Sequence, residues 1–523
     1  MAETIKLEFL DRARSWVRSA VSEYARRLPY LTYCDVRVEV DESKGAVAEN
    51  GQAKHSAEDY SFAFGVRVLA GKRAVAPGYY GRMLGAADGV GFEKVLREGI
   101  HHAYSRALAS GQAKSESRPR FGSLGRSLYD TILAPIKVAQ ASVPAVYKVD
   151  PRSVPLAKVA DMATEVSKAV SALSSQIVFN VVVAQTTLLR ELFVSSEGAD
   201  IDQSHASTEG FVLVVSRGET GNLELYDFHG HQRGWEIMEE GYRSASIQLL
   251  PFKEFALELA RSTVDVSNAP SLPSSEGEVV VVTDPHFSAL VCHEVVGHPS
   301  ELDRALKMET AYAGRSWFLR TLEDHQIGKQ VASPLVSAFS DPTIEGFGHY
   351  LYDHEGTPAQ RAYHIEKGMF REFLNSRQTA ALMNVAPNGS YQATDASLIP
   401  LIRMSNTAFA PGQSDPQSII REVERGYYVQ GHRIPSVSEA RENFRISAMK
   451  VSEIRNGEVG QLYRDGAIMA DSRDFFLRVD AAGKDFRLFP IPNCGKGQPM
   501  QAKRMSNGGP TMRSVARVTG GGQ

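Results

Sequence analysis

The order in which the hydrophobic period changes along the chain is the strongest constraint on its fold. Phe9, Leu10, Ala13, Trp16, Val17, Ala20, Val21 and Tyr24 recur at three- and four-residue steps, which gives one apolar helix face. Cys34, Val36, Val38 and Val40 then alternate with polar residues, as a half-buried strand does. Residues 62–69 predict a second strand, set off from the first by the turn pair Asn50-Gly51. Residues 92–108 and 159–173 read as helices. Residues 177–183, 188–195, 211–215 and 223–228 read as strands, and 237–259 as another helix. Strands follow strands without regular strand–helix alternation. That order argues against a parallel doubly wound sheet and predicts an α+β fold.

Residues 268–277 are rich in Pro, Ser and Gly, the chemistry of a linker. The expected division is an N-terminal α+β domain, 1–270, and a β-rich C-terminal domain, 271–523. The second opens with an apolar strand over 278–282 and a helix start at Asp284-Pro285. Beyond residue 330 it is dense in Gly, Pro and short alternating segments. Residues 486–523 hold six Lys or Arg and no acid. They read as a solvated glycine-rich tail packed on the β domain, with a polyanion site as the alternative.

Composition narrows the function. A net charge of −3 steers the chain toward neither nucleic acid nor membrane. Three cysteines in 523 residues form no disulfide framework and fit a reducing compartment. No apolar run reaches the roughly 18 residues of a membrane span. The first ten residues mix acids with apolar residues, unlike a signal peptide. The expectation is a cytoplasmic protein.

The segment His293-Glu294-Val295-Val296-Gly297-His298 carries the chemistry. Neutral imidazoles bind zinc, and a neighbouring carboxylate, Glu294, can take a proton from a metal-bound water. The spacing is unusual. Histidines four apart lie about 40° apart around an α-helix, whereas histidines five apart lie about 140° apart. Either a π-bulge re-phases the second histidine or the helix ends between the two. Gly297 is a weak helix residue and Pro299 disfavours the α conformation at His298, so the sequence favours a helix end.

A third protein ligand is needed for a catalytic zinc site. Cys494 is the best candidate. It sits in a glycine-flanked loop two residues from Lys496, a setting that favours thiolate. Cys292 and Cys34 have no such surroundings. Glu301 and Asp303 lie three and five residues past His298 and stay open, either as ligands or as acceptors for the imidazole N–H groups. Tyr352, His349, His354 and His364 are candidates for stabilising an oxyanion, and Arg403 and Asn406 for holding a loop or a substrate main chain.

From this motif onward the chain resembles the TldD/PmbA family, on the TldD side. The resemblance is carried by His293–His298 with Glu301 and Asp303, by Tyr352-Asp-His-Glu-Gly356, and by Arg403-Met-Ser-Asn-Thr407 with Pro411-Gly412. Cys494-Gly-Lys-Gly-Gln498 and Asn507-Gly-Gly-Pro510 complete it. The N-terminal half matches more loosely, at Gly65-Val-Arg-Val-Leu69 and Ser195-Ser-Glu-Gly198. The resemblance implies a zinc metallopeptidase acting on unfolded polypeptides or peptides, such as leader peptides or antitoxins. It implies Zn²⁺ held by His293, His298 and Cys494, with Glu294 as the base. It also implies a homodimer, or a heterodimer with a paralogue lacking the motif, and neither nucleic acid nor membrane as partner. The rival reading is a non-catalytic peptide-binding partner subunit with a vestigial metal motif.

Overall fold

The structure is a computed structural model that describes residues 4–117, 130–311 and 314–520. Its first sheet comprises β1 (Leu31–Glu49), β2 (Gln52–Ala70), β3 (Ala76–Met83), β4 (Gln140–Val143), β5 (Ile177–Ser195), β6 (Asp200–Gly218) and β7 (Gly221–His231). The order is β3-β2-β1-β5-β6, with β4 and β7 both on β6. Asn50 and Gly51 both take positive φ, 48° and 76°, and close the β1–β2 hairpin as a two-residue turn.

The two faces of this sheet differ in chemistry. Val36, Val38 and Val40 pack beneath the helices Phe9–Arg27 and Phe92–Ser117. Further along, Val182, Ala184, Val212 and Val214 pack beneath the helices Leu156–Leu173 and Phe252–Ser267. The opposite face meets the C-terminal half with buried charges. Arg67 donates to Asp35 at 2.6 and 2.9 Å and to Glu355 at 2.5 Å. Arg37 donates to His354 Nδ1 at 2.9 Å. The strands meet that half closely. A Cβ on Gly65 would stand 2.1 Å from the carbonyl oxygen of Ala396, and one on Gly81 1.8 Å from that of Ser397.

In the C-terminal half, strands Glu278–Thr283, Arg425–Val437, Asn443–Arg455, Ala467–Asp471 and Met512–Thr519 pair in that order. The last pairs back onto the first, which closes the ring. A six-stranded sheet lies beside it and ends in the hairpin Arg487–Lys496 and Gln501–Gly509. The fold is α+β, with the helices gathered on the N-terminal sheet and a β-rich C-terminal half.

Three element expectations change. Residues 177–195 form one strand, with no break near residue 185. Residues 237–259 do not form one helix. Gly241, at φ 70°, stops the helix Glu236–Glu240, and a new helix starts after Pro251. Residues 486–520 are no solvated tail, because they supply three strands and bury Ile491, Cys494, Met505, Met512, Ala516 and Val518 in the C-terminal core.

Candidate metal centre

The helix Pro285–Val291 starts where Asp284 accepts from the Phe287 N–H at 2.7 Å. It does not end between the histidines. It widens into a π-helix over Cys292–Gly297, and the His298 N–H donates to the His293 carbonyl. His298 itself is αR, at φ −61° and ψ −42°, despite Pro299. This corrects the expected helix end.

The carbonyls freed by the change of register each find a side-chain donor. Arg441 Nη1 donates to Glu294 O at 2.9 Å, Trp317 Nε1 to Val295 O at 2.9 Å and Ser300 Oγ to Val296 O at 2.7 Å. Pro299 has no N–H to offer Val295 O, so the register loses nothing there. Gly297 lets the turn sit against Met404, because a Cβ there would stand 2.0 Å from its sulfur.

His293, His298 and Cys494 are buried, and one ligand atom of each lies within 4.8 Å of the others. Their Nδ1 atoms point outward and are occupied. His298 Nδ1 donates to Glu301 Oε2 at 3.0 Å. Asn507 Nδ2 donates to Thr407 O, so its Oδ1 accepts from His293 Nδ1 at 2.9 Å. Both Nε2 lone pairs are therefore left for the cavity side. His298 Nε2 lies 3.5 Å from Cys494 Sγ.

A β-bulge between Ile491 and Cys494 re-aims the cysteine from an edge strand broken by Pro490 and Pro492. Arg403 fixes that turn from behind, donating to Cys494 O at 2.5 Å and Gln501 O at 2.9 Å.

Burial would push the Cys494 thiol up, but His293, His298 and Arg403 outweigh it and hold it well below the ordinary thiol range. Burial pushes the Cys34 and Cys292 thiols up. Lys496 is not the cation beside the thiol. Its Nζ bonds Asp303 at 2.7 Å, Ile402 O at 2.7 Å and Glu301 at 3.2 Å. Glu301 and Asp303 thus brace the histidine and the lysine, and neither belongs to the His–His–Cys trio. Such a trio, soft sulfur with two imidazole nitrogens, is a donor set that suits zinc.

Glu294 lies at the same cavity wall, 3.9 Å from His293 Nε2 and paired with Arg441. Burial would raise its pKa, but Arg441 and the two imidazoles bring it down to about 2. The cavity has a volume of about 600 Å³. His432 also lines it, with a buried Nδ1 that has no hydrogen-bond partner among the described residues. Neither Arg441 nor His432 carries a signal in the sequence, since both come from the strand pair around residues 425–455. Asn507 was legible only as part of a glycine-rich block.

The structure brings none of the expected oxyanion candidates to this cavity. His349 Nδ1 is held by Pro342 O and His364 Nε2 by Ser340. His354 and Tyr352 belong to the contact with the first sheet.

A buried trio of this kind beside a carboxylate, opening on a cleft, is an arrangement suited to metal-dependent hydrolysis, and the comparisons agree with that class. Residues 276–520 match the model of the PmbA/TldA metallopeptidase C-terminal domain. The chain is 30% identical over 331 residues to a metalloprotease of Methanothermobacter thermautotrophicus, covering 63% of this chain and 67% of the relative. It is 25% identical over 493 residues to a metalloprotease of Methanocaldococcus jannaschii, covering 93% and 97%. A zinc metalloprotease TldD homologue of Saccharolobus solfataricus is 25% identical, with 63% and 68% covered. The crystal structure of TldE from Thermococcus kodakarensis shares the fold, with a TM-score of 0.65 at 15% identity over 98% of this chain and all of that one. The chain belongs to the TldD/PmbA family. Among the described residues no helix is long and apolar enough to cross a membrane.

Proposed function

We propose that this chain is a zinc-dependent metallopeptidase that hydrolyses unfolded polypeptides or peptides. The observation that carries the reading is the pair of imidazoles whose Nδ1 atoms are bonded outward, leaving both Nε2 atoms beside the buried Cys494 sulfur. His293, His298 and Cys494 would hold Zn²⁺, which supplies Lewis acidity and acidifies water. Glu294, ionised and at the cavity wall, takes the proton of the attacking water and returns it to the leaving amine. Substrate must displace or share Arg441 at that carboxylate, since the two are paired in the free site.

We read residues 1–270 and 271–523 as separate domains with the site on the second. The working form is a dimer in the cytoplasm, either with itself or with a motif-lacking paralogue. The name of the Saccharolobus relative supports zinc, and the TldE neighbour is consistent with a paired subunit.

Metal analysis of the purified protein, with hydrolysis of one protein in native and unfolded form, tests the reading. Stoichiometric zinc and faster cleavage of the unfolded form are expected. A zinc-loaded protein that cleaves neither form would leave a peptide-binding subunit instead.

A further inference from the structure

The cleft has a second wall, supplied by the other half of the chain. On β6 and β7, Val212, Val214 and Leu225 are buried under helices, and the alternate positions face the cleft. Those positions include Phe211, Leu213, Tyr226 and Phe228, all half-buried, with the exposed Glu224 at the end of the patch. Phe211 stands opposite Phe228 and Leu213 opposite Tyr226 in the antiparallel register, so the four form one continuous patch. Ring centroids are 5.3 Å apart for Phe211 and Phe228, and 6.0 Å for Phe211 and Tyr226. All four line the same cavity of about 600 Å³ as His293, Glu294, His298 and Cys494. Leu290 and Ile491 face it from the metal side.

We infer that this patch is a subsite for a large apolar side chain, aromatic or branched, on the peptide residue flanking the scissile bond. The inference rests on the metallopeptidase reading for the identity of the occupant. The wall and the His–His–Cys trio line one cavity, so a peptide lying in it meets both. Apolar pockets discriminate by burying carbon, at about 10-fold or more per methylene-sized to ring-sized difference. The wall would therefore select Phe, Tyr, Leu or Met over Gly or Asp at that position.

The test uses zinc-loaded Glu294→Gln protein and two peptides that differ only in carrying Phe or Gly at one position, with binding read by calorimetry. About 10-fold tighter binding of the Phe peptide is expected. Adding Phe228→Ser, or separately Phe211→Ser, should cut that preference to about threefold or less, and Phe228→Leu should keep most of it. Zinc content and oligomeric state should not change. Equal binding of both peptides would overturn the inference. So would a preference unaffected by the serine variants, or a change of oligomeric state with no change of preference, which would mark the wall as a contact between chains. If zinc-loaded wild type cleaves no peptide, the metallopeptidase reading fails, while the binding comparison still decides the wall.

Discussion

Two clusters of buried histidines and carboxylates lie in this molecule, and they are wired in opposite ways. At His293 and His298 each Nδ1 is bonded outward and each Nε2 is left over beside Cys494. At His354 both ring nitrogens are consumed. Nδ1 accepts from Arg37 at 2.9 Å and from the Ala393 N–H at 3.0 Å, and Nε2 faces Glu191 at 3.0 Å. Burial, against the pull of Glu191, brings the His354 pKa down to about 4. Both clusters border a cavity, about 600 Å³ at the first and about 310 Å³ at the second. Histidines and acids in a cavity therefore do not define a metal site. What separates the two is the lone pairs left unspent once the surrounding protein has taken its hydrogen bonds. The second cluster locks the first sheet to the loop of residues 352–356, a structural task.

Glu294→Gln should break the comparison most sharply. Hydrolysis should fall by about 10²–10⁴-fold with zinc retained. Glu191→Gln, a change of the same type at the other cluster, should leave zinc content unchanged and lower the unfolding temperature, since it turns the charge-assisted hydrogen bond that His354 Nε2 donates into a neutral one. Peptide turnover, elemental analysis and thermal melts on both variants check this. Equal loss of activity in the two would erase the distinction.

Next in size, Cys494→Ser should purify with little zinc and no activity, while Cys34→Ser and Cys292→Ser keep their metal. Zinc loss from either of the latter, measured on dialysed protein, would reassign the site.

A smaller effect is expected from the outward bonds. Asn507→Ala and Glu301→Gln should each weaken zinc about 10- to 100-fold, because each frees an imidazole to rotate or change tautomer. Competition with a chelator of known affinity reads this, and unchanged affinity in both would show that the outward bonds do not orient the ligands.

The smallest effect concerns acid. Burial brings His229, His354 and His364 down to about 4 in the folded chain, against about 6.5 when unfolded. The unfolded state then binds more protons between those values, so stability is present above about 6.5 and is lost as pH falls toward about 4. Melting temperature should drop over that window, and His364→Gln should flatten part of the slope. A melting temperature constant from pH 7 to 4.5 would contradict the burial argument.

Much of the candidate site was legible because it is short-range chemistry. His293, Glu294 and His298 stand within six residues, and Cys494 is the cysteine that has glycine and a cation nearby in sequence. Lys496, the cation nearby in sequence, turns away to Glu301 and Asp303, and it is His293, His298 and Arg403 that hold the thiol below its ordinary range. The helix through the motif was misread for a related reason. Local propensity weighs Gly297 and Pro299 as breakers, but it cannot see Arg441, Trp317 and Ser300 waiting to take the freed carbonyls. Those donors come from elsewhere in the chain or from its next turn, and they make the π register affordable. Likewise 237–259 read as one helix because its apolar spacing outweighed Gly241 and Pro251.

The sequence by itself determined the α+β class, the Asn50-Gly51 hairpin and the residues of the candidate metal site, because each depends on period, turn geometry or residue type over a few positions. Only the tertiary structure decided which ring nitrogens stay free, that Glu294 is paired with Arg441, and that β6 and β7 set an aromatic wall across the cleft. These depend on groups far apart in the chain, as His293 and Asn507 are at 214 residues. Hydrogen-bond direction and electrostatic field are properties of distance in space, and no local pattern encodes them.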